Sequence, residues 1–372
     1  MELIVLKTNL RDGIAALGKI GAENTSLPIL KHCLIETQEN KIIFSVTNLE
    51  IAISSTIPAK VVKEGSITVP LAILSSIINN LGSERISLET KANNLIIKTE
   101  NYQAKIQGTK KEEFPIIPHI ENEREYLDIG SALLKDIFLS ISMASQSSAI
   151  RPELGGILFD YQVNQLKFAA TDSFRLAERT IDETRYKTTI GQKTKLIVPL
   201  KTVQELMRIL TDTDEEVVRM YFDANQIVFH TDRFDLISRV INGEFPDYQQ
   251  IIPKETIVEA IINREQLLNA LKLTGSFSDK TNEVRISIKE GVKNIELFSA
   301  NPIFGENQYL IPAKLKGEAM EIVFNWKFLL DGIKHSETES ITIGLNGDNK
   351  PAIIRPMNVR DYFYIIMPIH NS

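Results

Sequence analysis

Side chains able to do covalent or acid–base chemistry are few and scattered in this sequence. Asp172 and Ser173 are neighbours, and His230 lies far along the chain. A hydrolase built on them would need a Gly-x-Ser-x-Gly nucleophile elbow and a third group to orient the base, and the sequence offers neither. The simpler reading of Thr171-Asp172 is a turn closed by side-chain-to-backbone hydrogen bonds. Its recurrence as Thr47-Asn48 supports the turn. A metal centre fares no better. His32, His119, His230, His335 and His370 are dispersed, and His32 and Cys33 would face opposite sides of one strand. No Gly-rich dinucleotide or P-loop motif joins a strand to a helix. No catalytic residue, cofactor or metal is therefore expected.

The elements around that turn carry more information. In 154–181, Leu166, Phe168 and Ala170 alternate with Lys167 and Ala169, a half-buried strand. Thr171-Asp172-Ser173 interrupts it, and Phe174-Arg175-Leu176-Ala177 begins another. The same pattern occurs at 34–57 and 286–311, and aligning Thr47 with Thr171 and Ala300 gives spacings of 124 and 129 residues. A chain of 372 residues then divides into three related domains, expected at 1–122, 123–250 and 251–372.

Each third repeats one plan of strand, helix and strands, twice over. The helices are expected at 9–20 with Asn9 as cap, from 71 to a stop at Gly82, at 131–144 with Ser131 as cap, and at 200–210, 263–275 and 325–336. Val69-Pro70 and Val198-Pro199 introduce two of them. Strands are expected at 29–36, 41–47, 51–57, 85–90, 94–99 and 103–108, with counterparts in the later thirds. The fold class is α+β, with antiparallel sheets and two helices per domain.

Composition sets further limits. Cys33 is the only cysteine, so no intrachain disulfide can form, which suits a reducing cytoplasm. The apolar runs are too short to span a bilayer, and Met1-Glu2-Leu3-Ile4 opens no leader-like segment. The net charge of −6 argues against a simple nucleic-acid binder. Its distribution argues the other way. On the six helices Arg11, Lys19, Lys135, Lys201, Arg208, Arg264, Lys272, Lys327 and Lys334 outnumber Asp12, Asp136, Glu205, Glu265 and Asp331. The helices are thus net basic within an acidic chain, although 71–80 carries no charge and solubilising surface charge would look the same.

The segments TSLPILKHCLIE, RPELGGILF, AATDSFRLA, IVPLKTVQELMRIL, INGEFPDYQQIIP and the terminal YIIMPI, in this order and spacing, resemble the bacterial sliding clamps, the beta subunits of DNA polymerase III. The resemblance runs the length of the chain. It implies the DNA-clamp fold, closed as a homodimeric ring with helices lining the hole. Such a ring encircles duplex DNA without reading sequence and tethers the replicative polymerase. Base contacts would pin a sliding tether, so the lack of any base-reading element is consistent. The implied partners are the polymerase III alpha subunit, the clamp loader, and other polymerases and repair proteins, bound through a short peptide of the form Gln-Leu-x-Leu-Phe.

The resemblance implies a peptide pocket formed by Leu154, Thr171, Ser173, Phe174, Arg175, Leu176, Pro246, Gln250, Ile251, Asn325, Phe328, Pro351, Ile365, Ile366, Met367, Pro368 and Ile369. Aliphatic and Met side chains there would take apolar anchors, and Thr171 and Arg175 would fix polar atoms. Pro368 cannot donate to a ladder, so the last strand must end there or run at an edge. Asn24, Gln146, Arg151 and Lys201 are implied to face DNA. The dimer contact should join the first domain of one chain to the third of the other, with Ile106 on strand 103–108 and Phe277 as candidates. Three positions depart from the family pattern: Glu23-Asn24 where a base is common, Ser173-Phe174, and the tail His370-Asn371-Ser372. The competing reading is a repeat-built peptide scaffold that holds no DNA.

Overall fold

Short alternating segments become antiparallel sheets, with one face buried in strands such as Glu2–Leu6, where Leu3 and Val5 point inward, and both faces buried in Gly156–Tyr161. The computed structural model describes every residue except 19, 21–26, 121, 147, 149 and 370–372. It divides into two units, the first formed by Met1–Leu134, Arg185–Gly191 and Lys201–Val240, the second by Lys135–Thr184, Gln192–Leu200 and Ile241–Ser372.

In the first unit, strand Glu2–Leu6 pairs with Lys60–Lys63 on one side and Arg85–Lys91 on the other, and Asn94–Lys98 and Gln103–Gln107 complete a five-stranded sheet. A nine-stranded sheet crosses from the second repeat to the first. Its joint is Phe234–Arg239 against Ile51–Pro58, with Ser238 opposite Ile51. In the second unit a twelve-stranded sheet crosses from the second repeat to the third. The joint there is Arg175–Asp182 against Tyr362–Ile366, with Arg175 opposite Ile366 and Leu176 opposite Ile365.

Among the described residues, six helices accompany these sheets: α1 (Lys7–Ala16), α2 (Leu71–Asn80), α3 (Ser131–Ile141), α4 (Leu200–Asp212), α5 (Arg264–Gly275) and α6 (Trp326–Lys334). Each buries a helical stripe, such as Leu71, Leu74 and Ile78 on α2. On α6 the stripe includes Gly332, because a Cβ there would meet the Tyr364 ring at 2.5 Å. None of the described helices is long and apolar enough to cross a membrane.

The structure corrects several sequence expectations. Helix α1 begins two residues before Asn9, with Leu6 at the cap position and no side-chain cap, so Asn9 lies inside the helix and its amide reaches toward the Pro58 carbonyl. Ser131 is the first residue of α3, and its hydroxyl donates to the Glu215 carbonyl. Helix α3 ends at Ile141, and Ser142–Ala144 tightens into a 3-10 turn. The 29–36 strand begins only at His32, because Pro28–Lys31 is a 3-10 turn. Strands Lys60–Lys63 and Ser66–Pro70 were not foreseen. Ser66–Pro70 runs straight into α2, since Pro70 both stops the ladder and presets the helix.

Candidate functional site

The turn singled out in the sequence is built by its own side chains. The Thr171 hydroxyl donates to the Arg175 carbonyl at 2.7 Å and accepts from the Ser173 N–H at 3.2 Å. Asp172 Oδ1 accepts from the N–H groups of Phe174 and Arg175 at 3.0 and 3.1 Å. Thr47-Asn48 makes the same four bonds to Leu49, Glu50 and Ile51. Asn301 accepts from Ile303 and Phe304 in the third repeat. Leu49 and Ser173 share a left-handed backbone, with φ of 76° and 78°. Asp172 is thus a structural acceptor, not a catalytic acid.

Beside the turn in the second unit lies a cavity of about 150 Å³ lined by Arg151, Thr171, Ser173, Phe174, Arg175, Pro246, Asp247, Tyr248, Ile251, Ile365 and Met367. Its floor is a cluster of Leu158, Ala169, Leu176, Tyr248, Ile353 and Ile365, with Phe245, Ile252 and Phe363 packed against it. Tyr248 is fixed by donating to Glu178 Oε2 at 2.5 Å. Burial, then the Glu178 charge, pushes the Tyr248 hydroxyl pKa up, so it is a donor at physiological pH. Phe174 stands 62% exposed at the rim.

The last strand ends at Ile366. Beyond it the Met367 N–H donates to the Phe174 carbonyl and the Ile369 N–H to the Val323 carbonyl, each at 2.8 Å. Pro368 between them has no N–H to donate.

The Arg175 guanidinium is braced by partners within the chain. Its Nε donates to Asp172 Oδ2 at 2.8 Å, its Nη1 donates to Asp331 Oδ2 at 2.5 Å, and its plane lies over the Phe328 ring, 4.1 Å from the centroid. Burial alone would lower its pKa, but Tyr364, Asp172 and Asp331 outweigh that and hold it above the ordinary arginine value. Arg175 is therefore a brace under the cavity, joining the turn to α6. Asn325 is likewise structural, capping α6 by accepting from the Lys327 and Phe328 N–H groups.

Of the expected pocket residues, the structure brings Thr171, Ser173, Phe174, Arg175, Pro246, Ile251, Ile365 and Met367 to one cavity. Gln250 and Pro351 line a neighbouring cavity that shares Ile251 and Met367. Leu154, Leu176 and Ile366 are core side chains that line neither. Phe328 reaches the site through Arg175. Arg151, expected to face DNA, lines the first cavity. Its Nη1 donates to the Ser173 hydroxyl at 3.1 Å and its Nε to Glu153 at 3.0 Å. Asp247 and Tyr248 were missed as lining residues, although both sit inside the GEFPDYQQIIP motif.

Gln146 and Lys201 are exposed, and Asn24 lies outside the described residues, as does Lys19 among the helix bases. Several helix bases already have partners. Arg208 donates to the Ala15 and Ala16 carbonyls and to Glu205, and Lys334 pairs with Asp331 at 2.6 Å. Of the dimer candidates, Phe277 is half-buried, and the Ile106 side chain is turned into the core, so only its backbone is offered at the open edge of strand Gln103–Gln107.

Three family profiles match the chain in order: DNA polymerase III beta subunit, N-terminal domain, at 1–118; central domain, at 128–247; and C-terminal domain, at 249–370. The chain is 28% identical over 372 residues to the beta sliding clamp of Chlamydia pneumoniae, covering 99% of each. It is 26% identical over 374 residues to that of Synechococcus elongatus, again covering 99% of each. Among solved structures it is similar to the DNA polymerase sliding clamp of Bacillus subtilis, with 26% identity, full coverage of both chains and a TM-score of 0.94. The DNA polymerase III beta subunit of Thermotoga maritima gives 25% identity, full coverage and a TM-score of 0.89.

Proposed function

This chain belongs to the DNA polymerase III beta-subunit family, and from that membership we propose that two copies close head to tail around duplex DNA and hold the replicative polymerase to it. The role is that of a DNA sliding clamp in replication, on the three-domain α+β clamp fold, with domains at 1–122, 123–250 and 251–372. The protein is a processivity factor that catalyses no reaction itself and acts in the cytoplasm.

One observation carries the ring. At two joints within the chain, the strand after a Thr/Asx turn pairs with the last strand of the following repeat, and Ile51, the residue at the first such joint, is only 2% exposed. At the third turn the matching residue, Phe304, is 65% exposed, and among the described residues no strand pairs with the outer edge of 305–309. The strand that the repeat assigns to that edge is Gln103–Gln107 of a second copy, which is itself at an open sheet edge. Pairing the two covers backbone that would otherwise template aggregation, and two such joints close a dimer.

The cavity beside Thr171 takes the partner peptide. Ile251, Ile365 and Met367 receive the Leu-Phe anchors, while Arg151, Thr171 and Ser173 form the polar end. Polymerase III alpha, the clamp loader and other polymerases and repair proteins compete for it. The test is anisotropy of labelled Gln-Leu-Ser-Leu-Phe against the intact chain and a chain ending at Ile366. The expected result is saturable binding near micromolar, about −8 kcal/mol, lost on truncation. Equal binding to both chains would contradict the assignment.

A further inference from the structure

A second cavity lies beside the first in the second unit. It measures about 560 Å³ and is lined by Gln250, Ile251, Ile252, Pro253, Glu255, Thr256, Ile257, Asn346, Lys350, Pro351 and Met367. Its wall against the first cavity is made of Ile251 and Met367, which line both. Ile257 stands half exposed on its far side, and Ile251 is also exposed. The Ile257 backbone is held in place, its N–H shared between the Leu345 carbonyl at 3.0 Å and Asn346 Oδ1 at 3.2 Å. The cavity is therefore a preformed apolar hollow with a fixed backbone rim.

Two arguments identify what fills it. The lining holds one base, Lys350, and one acid, Glu255, so its charge is balanced and favours an uncharged apolar occupant. The second argument is direction. In the first cavity Thr171, Ser173 and Arg175 come from the turn and Arg151 immediately precedes the Pro152–Leu154 3-10 turn, so four polar lining residues lie on that side; Asp247 is a fifth, and Ile251 and Met367 form the wall toward the second cavity. A peptide that begins with Gln and ends with Leu-Phe matches that gradient in one sense only, with its aromatic end against Ile251 and Met367. The chain beyond the aromatic residue then crosses that wall.

We propose that the second cavity is a further subsite, which seats an apolar side chain placed one or two residues after the aromatic anchor of a partner peptide. This rests on the reading of the first cavity as the peptide pocket. It predicts that partners whose motif lies inside their chain and is followed by an aliphatic residue bind more tightly than those whose motif is followed by polar residues.

The experiment compares Gln-Leu-Ser-Leu-Phe with the same peptide extended by Gly-Leu or by Gly-Ser, each titrated by anisotropy against the full chain and its Ile257→Ser variant. The Gly-Leu peptide is expected to bind the native chain about tenfold more tightly than the Gly-Ser peptide, within the range for burying one aliphatic side chain. Ile257→Ser should remove that difference and leave the affinity of the five-residue peptide unchanged, since Ile257 lines only the second cavity. Equal affinities for the two extensions on the native chain, or a gain that persists in Ile257→Ser, would overturn the subsite while the first pocket stands. Failure of the five-residue peptide to bind would overturn the pocket and the subsite together.

Discussion

The backbone N–H of Met367 donates to the carbonyl oxygen of Phe174 at 2.8 Å. That bond ties the end of the last strand to the turn of the second repeat, so the cavity has one wall from each and neither repeat forms it alone. Met367 and Ile251 together form the wall that the two neighbouring cavities share.

Met367→Ala should therefore weaken binding of the Gln-Leu-Ser-Leu-Phe peptide at least tenfold, because the thioether surface is lost while the backbone bond remains. Stability should fall by only about 1–2 kcal/mol, less than the roughly 2–5 kcal/mol for truncating a fully buried Met, because Met367 is half-buried. Anisotropy and urea unfolding separate the two effects. Unchanged affinity would mean the peptide does not use this wall.

Arg175→Met should destabilise the second unit strongly. It leaves Asp172 and Asp331 without their buried cation, and breaking such a pair from one side costs about 3–5 kcal/mol. Arg175→Lys should recover only part, since an ammonium cannot bond both carboxylates and stack on Phe328 at once. Trp326 is the only tryptophan and opens α6, the helix that carries Phe328 and Asp331, so its fluorescence in urea reports on this joint. A midpoint equal to the native one would remove Arg175 from its bracing role.

Phe304→Glu should shift the protein from dimer to monomer. A carboxylate at the third joint would be buried with no cation assigned to it. Sedimentation velocity at micromolar concentration reads the outcome, and the thermal midpoint of the dilute chain should stay near native because Phe304 is exposed in the single chain. A dimer of undiminished stability would place the subunit contact elsewhere.

His230 should make stability depend on pH. Its Nδ1 lies 2.5 Å from Asp235 Oδ1, and that hydrogen bond raises its pKa above the model-compound value of 6.5 although burial opposes it. The contribution is full below about pH 6.5, where the imidazole is charged in both folded and unfolded states. It is lost as the pH rises through the raised folded value. In His230→Gln the fall in urea midpoint between pH 6 and pH 9 should be smaller than in the native chain. An unchanged slope would show that the pair contributes nothing, as many half-exposed pairs do.

The repeat was legible because its turn is written in side chains. Thr47-Asn48 and Thr171-Asp172 close by the same local bonds, and local bonds survive divergence of the packing around them. Helix ends were less legible. Asn9 looked like a cap, yet α1 starts at Lys7, where the strand Glu2–Leu6 delivers the chain directly into the helix. The apolar residues of the pocket were placed in the right neighbourhood, but sequence could not separate lining from floor: Leu176 and Ile365 are opposite each other in one ladder, and only Ile365 reaches the cavity. Arg175 read as a ligand-binding base because Asp331 lies far away in sequence. The hydrogen bond from Arg151 to Ser173 was not legible either, because it depends on tertiary packing.

The ring itself is tested most directly by topology. The protein is loaded by a bacterial clamp loader onto a nicked circular duplex, separated from free protein on a sizing column, and followed before and after a single restriction cut. Retention on the circle and loss from the linear product is the predicted result, with the half-life on the circle insensitive to moderate salt because no protein–DNA contact needs to hold. Equal retention on circle and line would mean that the chain binds DNA by surface contact, and would contradict encirclement.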